Sequence, residues 1–391
     1  MSFELSREHE AFRMSVREFA EKEIAPHVPQ WDREHHFPVD VVQKMGELGL
    51  FGLTSPEEYG GAGDDGDFTS LCVAIEELGR VDQSLGITLE AGVGLGINPL
   101  LTYGNDEQKQ TWLPDLVAGR TLAAFGLTEP GSGSDAGSIR TRADLDGDEW
   151  VVNGAKQFIT NSGSSMTSVV NVAARTGTRA DGKPEVSTII VPAGTPGFVA
   201  EPAYDKLGWH ISDTHPLTFD NARVPEANLL GERGRGYAQF LATLDDGRVA
   251  IAALAVGLIQ ACLDLCVEYA GQRTTTGGVT IGSKQGVAFQ IADLEVMLQA
   301  SRLLTYKAAA MKDGGARMGD FKRAASVAKL YTSESAVTAT RVATQIFGGY
   351  GFMEEYAVAR FYRDAKILEI GEGTSEVQRI LIARGLGLPV E

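Results

Sequence analysis

Trp150-Val-Val-Asn-Gly-Ala-Lys-Gln-Phe-Ile-Thr-Asn161 decides the fold, because it is the clearest β segment in a chain whose other long segments carry helical periodicity. Its β-branched and aromatic residues suit a half-buried strand. At its centre Asn153-Gly154 tolerates positive φ angles and predicts a type I′ turn, so the segment reads as a hairpin. Two more β-rich runs follow, Ser187-Thr-Ile-Ile-Val191 and Leu217-Thr-Phe219, set among Pro192, Pro196, Pro202, Pro216 and Pro225. Short strands so densely punctuated predict a small barrel or sandwich over residues 121–232.

Helical pattern lies on both sides. Ser6 caps a segment with apolar residues at Phe12, Val16, Phe19 and Ile24, which Pro26 and Pro29 end. Pro38 opens a helix through Leu48, apolar-periodic segments cover Phe68 to Gly79 and Gln83 to Leu101, and Asp106 caps a helix through Ala118. After the Gly231-Glu-Arg-Gly-Arg-Gly236 linker, helices are expected at about 236–271, 284–313, 320–347, 355–363 and 375–385, as in a bundle. The reading is an α+β multidomain chain: an all-α unit at 1–120, the β unit at 121–232 and a helical bundle at 233–391.

With 391 residues, 43% of them hydrophobic, the chain can bury several cores. A net charge of -17 argues against nucleic acid, which needs a Lys/Arg excess. The longest apolar run, Val249 to Ile259, is too short to span a bilayer and reads as a buried helix, so no membrane insertion is expected. The acidic N-terminus lacks the features of a signal peptide, so a cytoplasmic protein or a processed mitochondrial matrix protein is expected. Cys72, Cys262 and Cys266 form no disulfide framework, and Cys262 and Cys266 are expected to pack in a helix core. His35-His36 and the His210, His215 pair read as solvated or capping residues rather than metal ligands, and no metal is expected. Glu76-Glu77 and Asp245-Asp246 read as a wet helix face.

Three segments carry chemistry. In Arg363-Asp-Ala-Lys-Ile-Leu-Glu-Ile-Gly-Glu372-Gly-Thr-Ser-Glu-Val-Gln-Arg379, Glu372 sits between two glycines just before a helix, where Ser375 and Gln378 form a capping box. A carboxylate held there can act as a general base if burial raises its pKa. Phe125-Gly-Leu-Thr128-Glu-Pro-Gly-Ser-Gly133-Ser134-Asp135 offers small residues for close backbone approach and hydroxyls at Thr128, Ser132 and Ser134. No βαβ unit surrounds it, so it is not a dinucleotide-binding fingerprint. Phe158 and Thr160 lie two apart on one strand face, where a ring can stack on a flat cofactor and a hydroxyl can reach its edge.

In this order, with Ile24-Ala-Pro26, Pro56-Glu-Glu-Tyr-Gly-Gly61, Ile346-Phe-Gly-Gly-Tyr-Gly351 and Tyr362-Arg-Asp-Ala-Lys366, these segments resemble the acyl-CoA dehydrogenase family of flavoenzymes along nearly the whole chain. The resemblance implies a helical domain, a middle β-barrel and a four-helix bundle. It implies FAD as cofactor, an acyl-CoA substrate, electron-transfer flavoprotein as electron acceptor, and a homotetramer. Glu372 corresponds to the base that removes the α-proton of the thioester while the flavin accepts a hydride from the β-carbon. Some members carry the base on the first bundle helix beside an Arg, a place held here by Gly247 next to Arg248.

By the same resemblance Phe125, Leu127, Thr128, Gly133, Ser134, Phe158, Ile159 and Thr160 line the flavin, with Phe158 stacked on it and Thr160 at its N5 edge. Ser134, Asp245, Arg248, Gly371 and Gly373 contact the acyl-CoA, and Thr374, Ser375 and Glu376 complete the cofactor site. Arg273, Gln285, Gln345, Gly348 and Gly349 reach the FAD of a neighbouring subunit. Two departures stand out. Arg273 is followed by Thr274-Thr-Thr276 where the family often has an aromatic, and the gap to Gln285 is one residue longer, which bears on the FAD contact there. Gly371 replaces the Tyr found before the base in many straight-chain enzymes. The lost ring opens volume by the reacting carbons and points to a short or branched acyl-CoA, such as an amino-acid-derived one. An oxidase-type flavoenzyme using oxygen and a non-catalytic FAD-bound assembly protein are the alternatives.

Overall fold

The computed structural model describes residues 5–390. Seven helices come first: α1 (Arg7–Phe19), α2 (Val28–Glu34), α3 (Val39–Glu47), α4 (Phe68–Val81), α5 (Gln83–Glu90), α6 (Asn98–Tyr103) and α7 (Asp106–Val117). Between α5 and α6 the helix widens into π-type turns over Ala91–Ile97. Pro29 does not end a helix as expected. It lies in the first turn of α2, where a missing N–H costs nothing. The cap of α7 is Asn105 rather than Asp106, and it forms a full capping box with Gln108.

The middle region holds β1 (Leu122–Gly126), β2 (Arg142–Asp146), β3 (Glu149–Thr160), β4 (Thr167–Thr178), β5 (Pro184–Pro192), β6 (Phe198–Ala200), β7 (Thr214–Pro225) and β8 (Leu229–Leu230). The sheet runs β6-β7-β3-β2-β4-β5-β8, with β1 parallel to β4, and curls around Trp150, Val152, Val170, Ile189 and Leu217. The expected hairpin turn at Asn153-Gly154 is absent: β3 runs straight through it, and the turn falls earlier, at Gly147, with φ 68°. Asn153 instead marks a register shift against β7, and at Gly154 a Cβ would lie 2.7 Å from the Thr141 backbone. Glycine here serves a bulge and a close strand crossing.

The bundle comprises α8 (Gly236–Gln272), α9 (Gln285–Asp313), α10 (Met318–Phe347), α11 (Ala357–Ala365) and α12 (Ser375–Gly385). The segments around α5–α6 and α8 are long and apolar enough to cross a membrane, yet most of each is buried inside the protein. Small residues let α8 lie tight on α4, where a Cβ on Gly257 would meet the Glu76 carbonyl at 2.2 Å. Cys262 and Cys266 are fully buried in that core.

Glu76-Glu77 is not a wet face. Both residues are buried, and each is met by cations. Glu76 accepts from Arg302 (2.6 Å) and from the Tyr306 hydroxyl (2.6 Å), and Glu77 accepts from Arg17 (2.8 Å), which joins α1, α4 and α9. Asp245-Asp246 is likewise buried. His210 and His215 are not solvated: they pair with Asp32 (3.1 Å) and Asp213 (2.7 Å). Removing one partner of a buried charge network leaves the others unmatched, so Glu76→Ala should cost roughly 3–5 kcal/mol of unfolding free energy. Denaturant titration of the purified protein checks this, and a loss within the roughly 0–1 kcal/mol of an exposed pair would contradict it.

Candidate active site

Glu372 adopts φ 52°, in the left-handed region that non-glycine residues rarely take, and Gly373 follows at φ 97°. Three contacts hold this turn. Lys329 Nζ donates to the Gly373 carbonyl (2.8 Å), Gln378 Nε2 donates to the same oxygen (2.9 Å), and Thr374 caps α12 by accepting from Val377 N–H (3.3 Å). The cap is therefore Thr374, not Ser375, whose hydroxyl has no partner. Gln378 turns back to the Glu372–Gly373 carbonyls instead of closing a capping box.

The turn's backbone is partly exposed, but both carboxyl oxygens of Glu372 are buried, with no hydrogen-bond donor among the described residues. Burial lifts its pKa to about 7, while contact with Glu90 and the charges of Arg248 and Lys329 pull the other way. A Cβ placed on Gly247 would lie 1.8 Å from Glu372 Oε2. The carboxyl thus occupies the room that a side chain at 247 would fill. Beside it Arg248 pairs with Asp245, which also meets Lys322 (3.1 Å), and Asp246 is held by Lys312 (2.8 Å) and Asn98 (3.2 Å).

Glu90 was not singled out from sequence. It ends α5 fully buried, and burial followed by the Glu372 charge raises its pKa well above the usual carboxylate range. The signal available was one acid inside the apolar stretch Leu85–Ile97.

The Thr128–Ser134 loop leaves β1 beside Phe125, whose ring packs on Phe240 at 4.2 Å, and Leu127 is buried. A buried ion pair anchors the loop. Lys156 Nζ reaches Glu129 (2.8 Å) and the Leu127 carbonyl (3.1 Å), while Glu129 also accepts from Arg140 N–H (2.7 Å) and Thr141 N–H (3.0 Å). Burial lowers the Lys156 pKa to about 8, against the pull of Glu129. Gly133 and Ser134 stay exposed, and the Ser132 hydroxyl is used within the loop on the Asp135 carbonyl.

On β3 the register shifts again between Lys156 and Ile159, which throws Phe158 outward at φ 61°. Its ring is 63% exposed, 5.2 Å from Tyr204, and Thr160 is half-buried two residues on. Ile159 points into the sheet core, so only its backbone is free to meet a ligand. An exposed aromatic face, a hydroxyl at its edge and an anchored loop of small residues together fit a flat ring system such as that of FAD.

Arg273, Gln285, Gln345, Gly348 and Gly349 are exposed at the far end of the bundle, with Arg273 over the Tyr350 ring at 5.7 Å. Helical rise along α8 separates Arg273 from Gly247 by about 39 Å. One chain therefore does not bring these residues to Glu372. A cavity of about 630 Å³, lined in part by Phe68, Val93, Gly94, Asp246 and Lys312, abuts the segment carrying Glu90, and Glu372 is not in its wall.

A buried carboxyl of raised proton affinity, and on the middle sheet an exposed aromatic with a hydroxyl and a small-residue loop, are the parts a flavin-type dehydrogenase site requires. Comparison with known proteins agrees. The N-terminal, middle and C-terminal domain models of acyl-CoA dehydrogenase match residues 6–120, 124–222 and 234–387. A probable acyl-CoA dehydrogenase of Bacillus subtilis, YngJ, is 48% identical over 99% of this chain and 100% of its own. The mouse mitochondrial short-chain specific acyl-CoA dehydrogenase is 42% identical over 98% of this chain and 90% of its own. Among solved structures, butyryl-CoA dehydrogenase from Megasphaera elsdenii superposes with TM-score 0.94 at 40% identity, covering 99% of this chain and 100% of its own. A chain from a study of the electron transferring flavoprotein of Acidaminococcus fermentans gives TM-score 0.94 at 40% identity, with 99% of each covered. The chain belongs to the acyl-CoA dehydrogenase family. It is an FAD-dependent enzyme acting on acyl-CoA.

Because a side chain at 247 and the Glu372 carboxyl compete for one volume, Gly247→Ala should displace the carboxyl by an ångström or more and lower kcat about 100-fold. Steady-state kinetics with butyryl-CoA, alongside flavin content to confirm folding, checks this; an unchanged kcat would show the carboxyl is not confined there.

Proposed function

We propose that Glu372 is the general base of the α,β-dehydrogenation of a short or branched acyl-CoA to its trans-2-enoyl-CoA. The observation that carries this is the buried, donor-free carboxyl of Glu372 seated over Gly247. A thioester α-proton is weakly acidic, so its removal needs a dry base of raised proton affinity and donors that polarise the carbonyl. Burial supplies the first, and the Glu372 backbone N–H, fixed by the stapled turn, is the donor this chain offers. FAD, when bound, accepts the hydride from the β-carbon. Phe158, Thr160 and the loop from Phe125 to Ser134 hold that cofactor, with Thr374, Ser375 and Glu376 at the start of α12. Asp245, Arg248, Ser134 and Gly373 seat the thioester, so that binding energy from the CoA portion orients the reacting carbons.

The acyl preference rests on Gly371. A Cβ there would meet nothing within 4 Å outside its chain neighbours but the Ile367 carbonyl at 3.5 Å, so packing does not require glycine at this position. The short-chain and butyryl relatives support the same reading. Electron transfer to an electron-transfer flavoprotein is supported by the structural likeness to the Acidaminococcus chain. The separation between Arg273 and Gly247 supports an assembly, which we take to be a homotetramer, in which Arg273, Gln285, Gln345, Gly348 and Gly349 serve a neighbour's FAD.

Glu372→Gln should stay yellow and bind butyryl-CoA, yet lose anaerobic flavin bleaching; retained bleaching would identify another base. Glu372 acts deprotonated, so kcat/KM should fall as pH drops below about 7. Rates over straight and branched thioesters should favour short or branched chains. Preference for chains beyond about ten carbons would contradict the reading of Gly371.

A further inference from the structure

We propose that His215 is a positioning residue for the FAD seat: as an imidazolium hydrogen-bonded at both ring nitrogens, it ties the turn that follows Thr160 to the segment carrying Tyr204, and so holds Phe158 and Thr160 in place. This rests on the reading above that Phe158 and Thr160 seat the flavin. His215 Nε2 lies 2.7 Å from Asp213 Oδ1, and its Nδ1 lies 2.6 Å from the Glu201 carbonyl. A carbonyl oxygen only accepts, and so does an ionised carboxylate. A neutral imidazole carries one N–H, so both contacts are hydrogen bonds only when the ring holds two protons.

Asp213 is the ionised partner that this requires. Its other oxygen, Oδ2, accepts from Gly163 N–H (2.9 Å) and from Ser164 N–H (3.0 Å). Burial opposes ionisation there, yet the bonds from His215 and from these N–H groups hold the carboxyl below the usual carboxylate range. The bond to Asp213 in turn raises the His215 pKa, against the effect of burial. Of the charged groups facing the ring, Asp213 favours the cation and Lys206 opposes it, with the Lys206 amine bonded to the Ser212 carbonyl and the Thr214 hydroxyl. From the turn after β3 the ring meets Gly163, where a Cβ would overlap it.

The clamp acts on the seat through short connections. Ile159 and Thr160 pair with His215 and Thr214 across β3 and β7, and Asn161 N–H donates to the Asp213 carbonyl (2.9 Å). Asn161 sits at φ 61°, as Phe158 does, so the chain is strained on both sides of Thr160 and depends on outside support. Tyr204, just beyond Glu201, donates its N–H to the Thr214 carbonyl (3.2 Å), and its ring faces Phe158 at 5.2 Å. A bond lost at His215 therefore loosens both sides of the seat.

The test follows FAD release from the diluted holoenzyme by the rise in flavin fluorescence, from about pH 6 to about pH 10, with circular dichroism confirming the fold. Wild type should release FAD slowly at the acid end and roughly tenfold faster once the pH passes the His215 pKa, above the ordinary 6.5. H215L should release it roughly tenfold faster throughout, with no step. H215R, a permanent cation able to donate to both acceptors, should keep slow release and lose the step. The wild-type step retained in either variant would overturn the proposal, as would release from H215L at the wild-type rate. In holoenzyme labelled with nitrogen-15 histidine, both ring nitrogens of His215, assigned by their absence from H215L, should show N–H-type shifts at neutral pH. An unprotonated ring nitrogen would overturn the proposal whatever the variants' stability. Unchanged release from Phe158→Leu would sink the seat and with it the link to FAD, whereas fast release from Phe158→Leu with unchanged release from H215L would sink the clamp alone.

Discussion

The site depends on one steric exclusion: residue 247 has no side chain, and the Glu372 carboxyl takes the vacated volume. That volume exists only because α8 is laid close against its neighbours by small residues, as at Gly257, and because the Glu372 turn is held from behind by Lys329 and Gln378. The strain of a left-handed glutamate, of order 1–3 kcal/mol, is borne by these contacts. A turn fixed this way keeps the Glu372 carboxyl within a narrow range of positions, as the Glu129–Lys156 pair does for the loop that leaves β1.

The interior is rich in acids, and they divide into two kinds. Glu76, Glu77, Asp245 and Asp246 each meet cations at short range, which serves to join helices. The carboxyls of Glu90 and Glu372 are also buried, yet among the described residues no cation bonds to either. An uncompensated buried carboxylate is too costly to persist ionised, so the proton affinity rises instead. Ion pairs thus serve cohesion at the first four acids, and Glu90 and Glu372 are left with raised proton affinity.

Much of this was legible in sequence, and what was not has physical causes. The helical segments and the β region follow from apolar periodicity. Helix starts were displaced by one residue at Asn105 and Thr374, because adjacent Asp106 and Ser375 are equally good cap residues by type. Asn153-Gly154 was misread because the same dipeptide serves a tight turn or an in-strand bulge, and only the neighbouring Thr141 backbone decides between them. The acids at 76–77 and 245–246 read as exposed because charge does not announce burial when the packing that covers it, as with Arg17, Arg302, Lys312 and Lys322, comes from dozens to hundreds of residues away. Glu372 and Gly247 are legible by motif, but their contact across 125 residues exists only in three dimensions.

In the proposed reaction Glu372 takes the α-proton of the thioester. Its most direct measurement is deuterium incorporation from D2O at the α-carbon of butyryl-CoA, followed by mass spectrometry with the wild-type enzyme and with Glu372→Gln. Exchange is expected with the former and none above background with the latter. Exchange at the wild-type rate in the variant would contradict it.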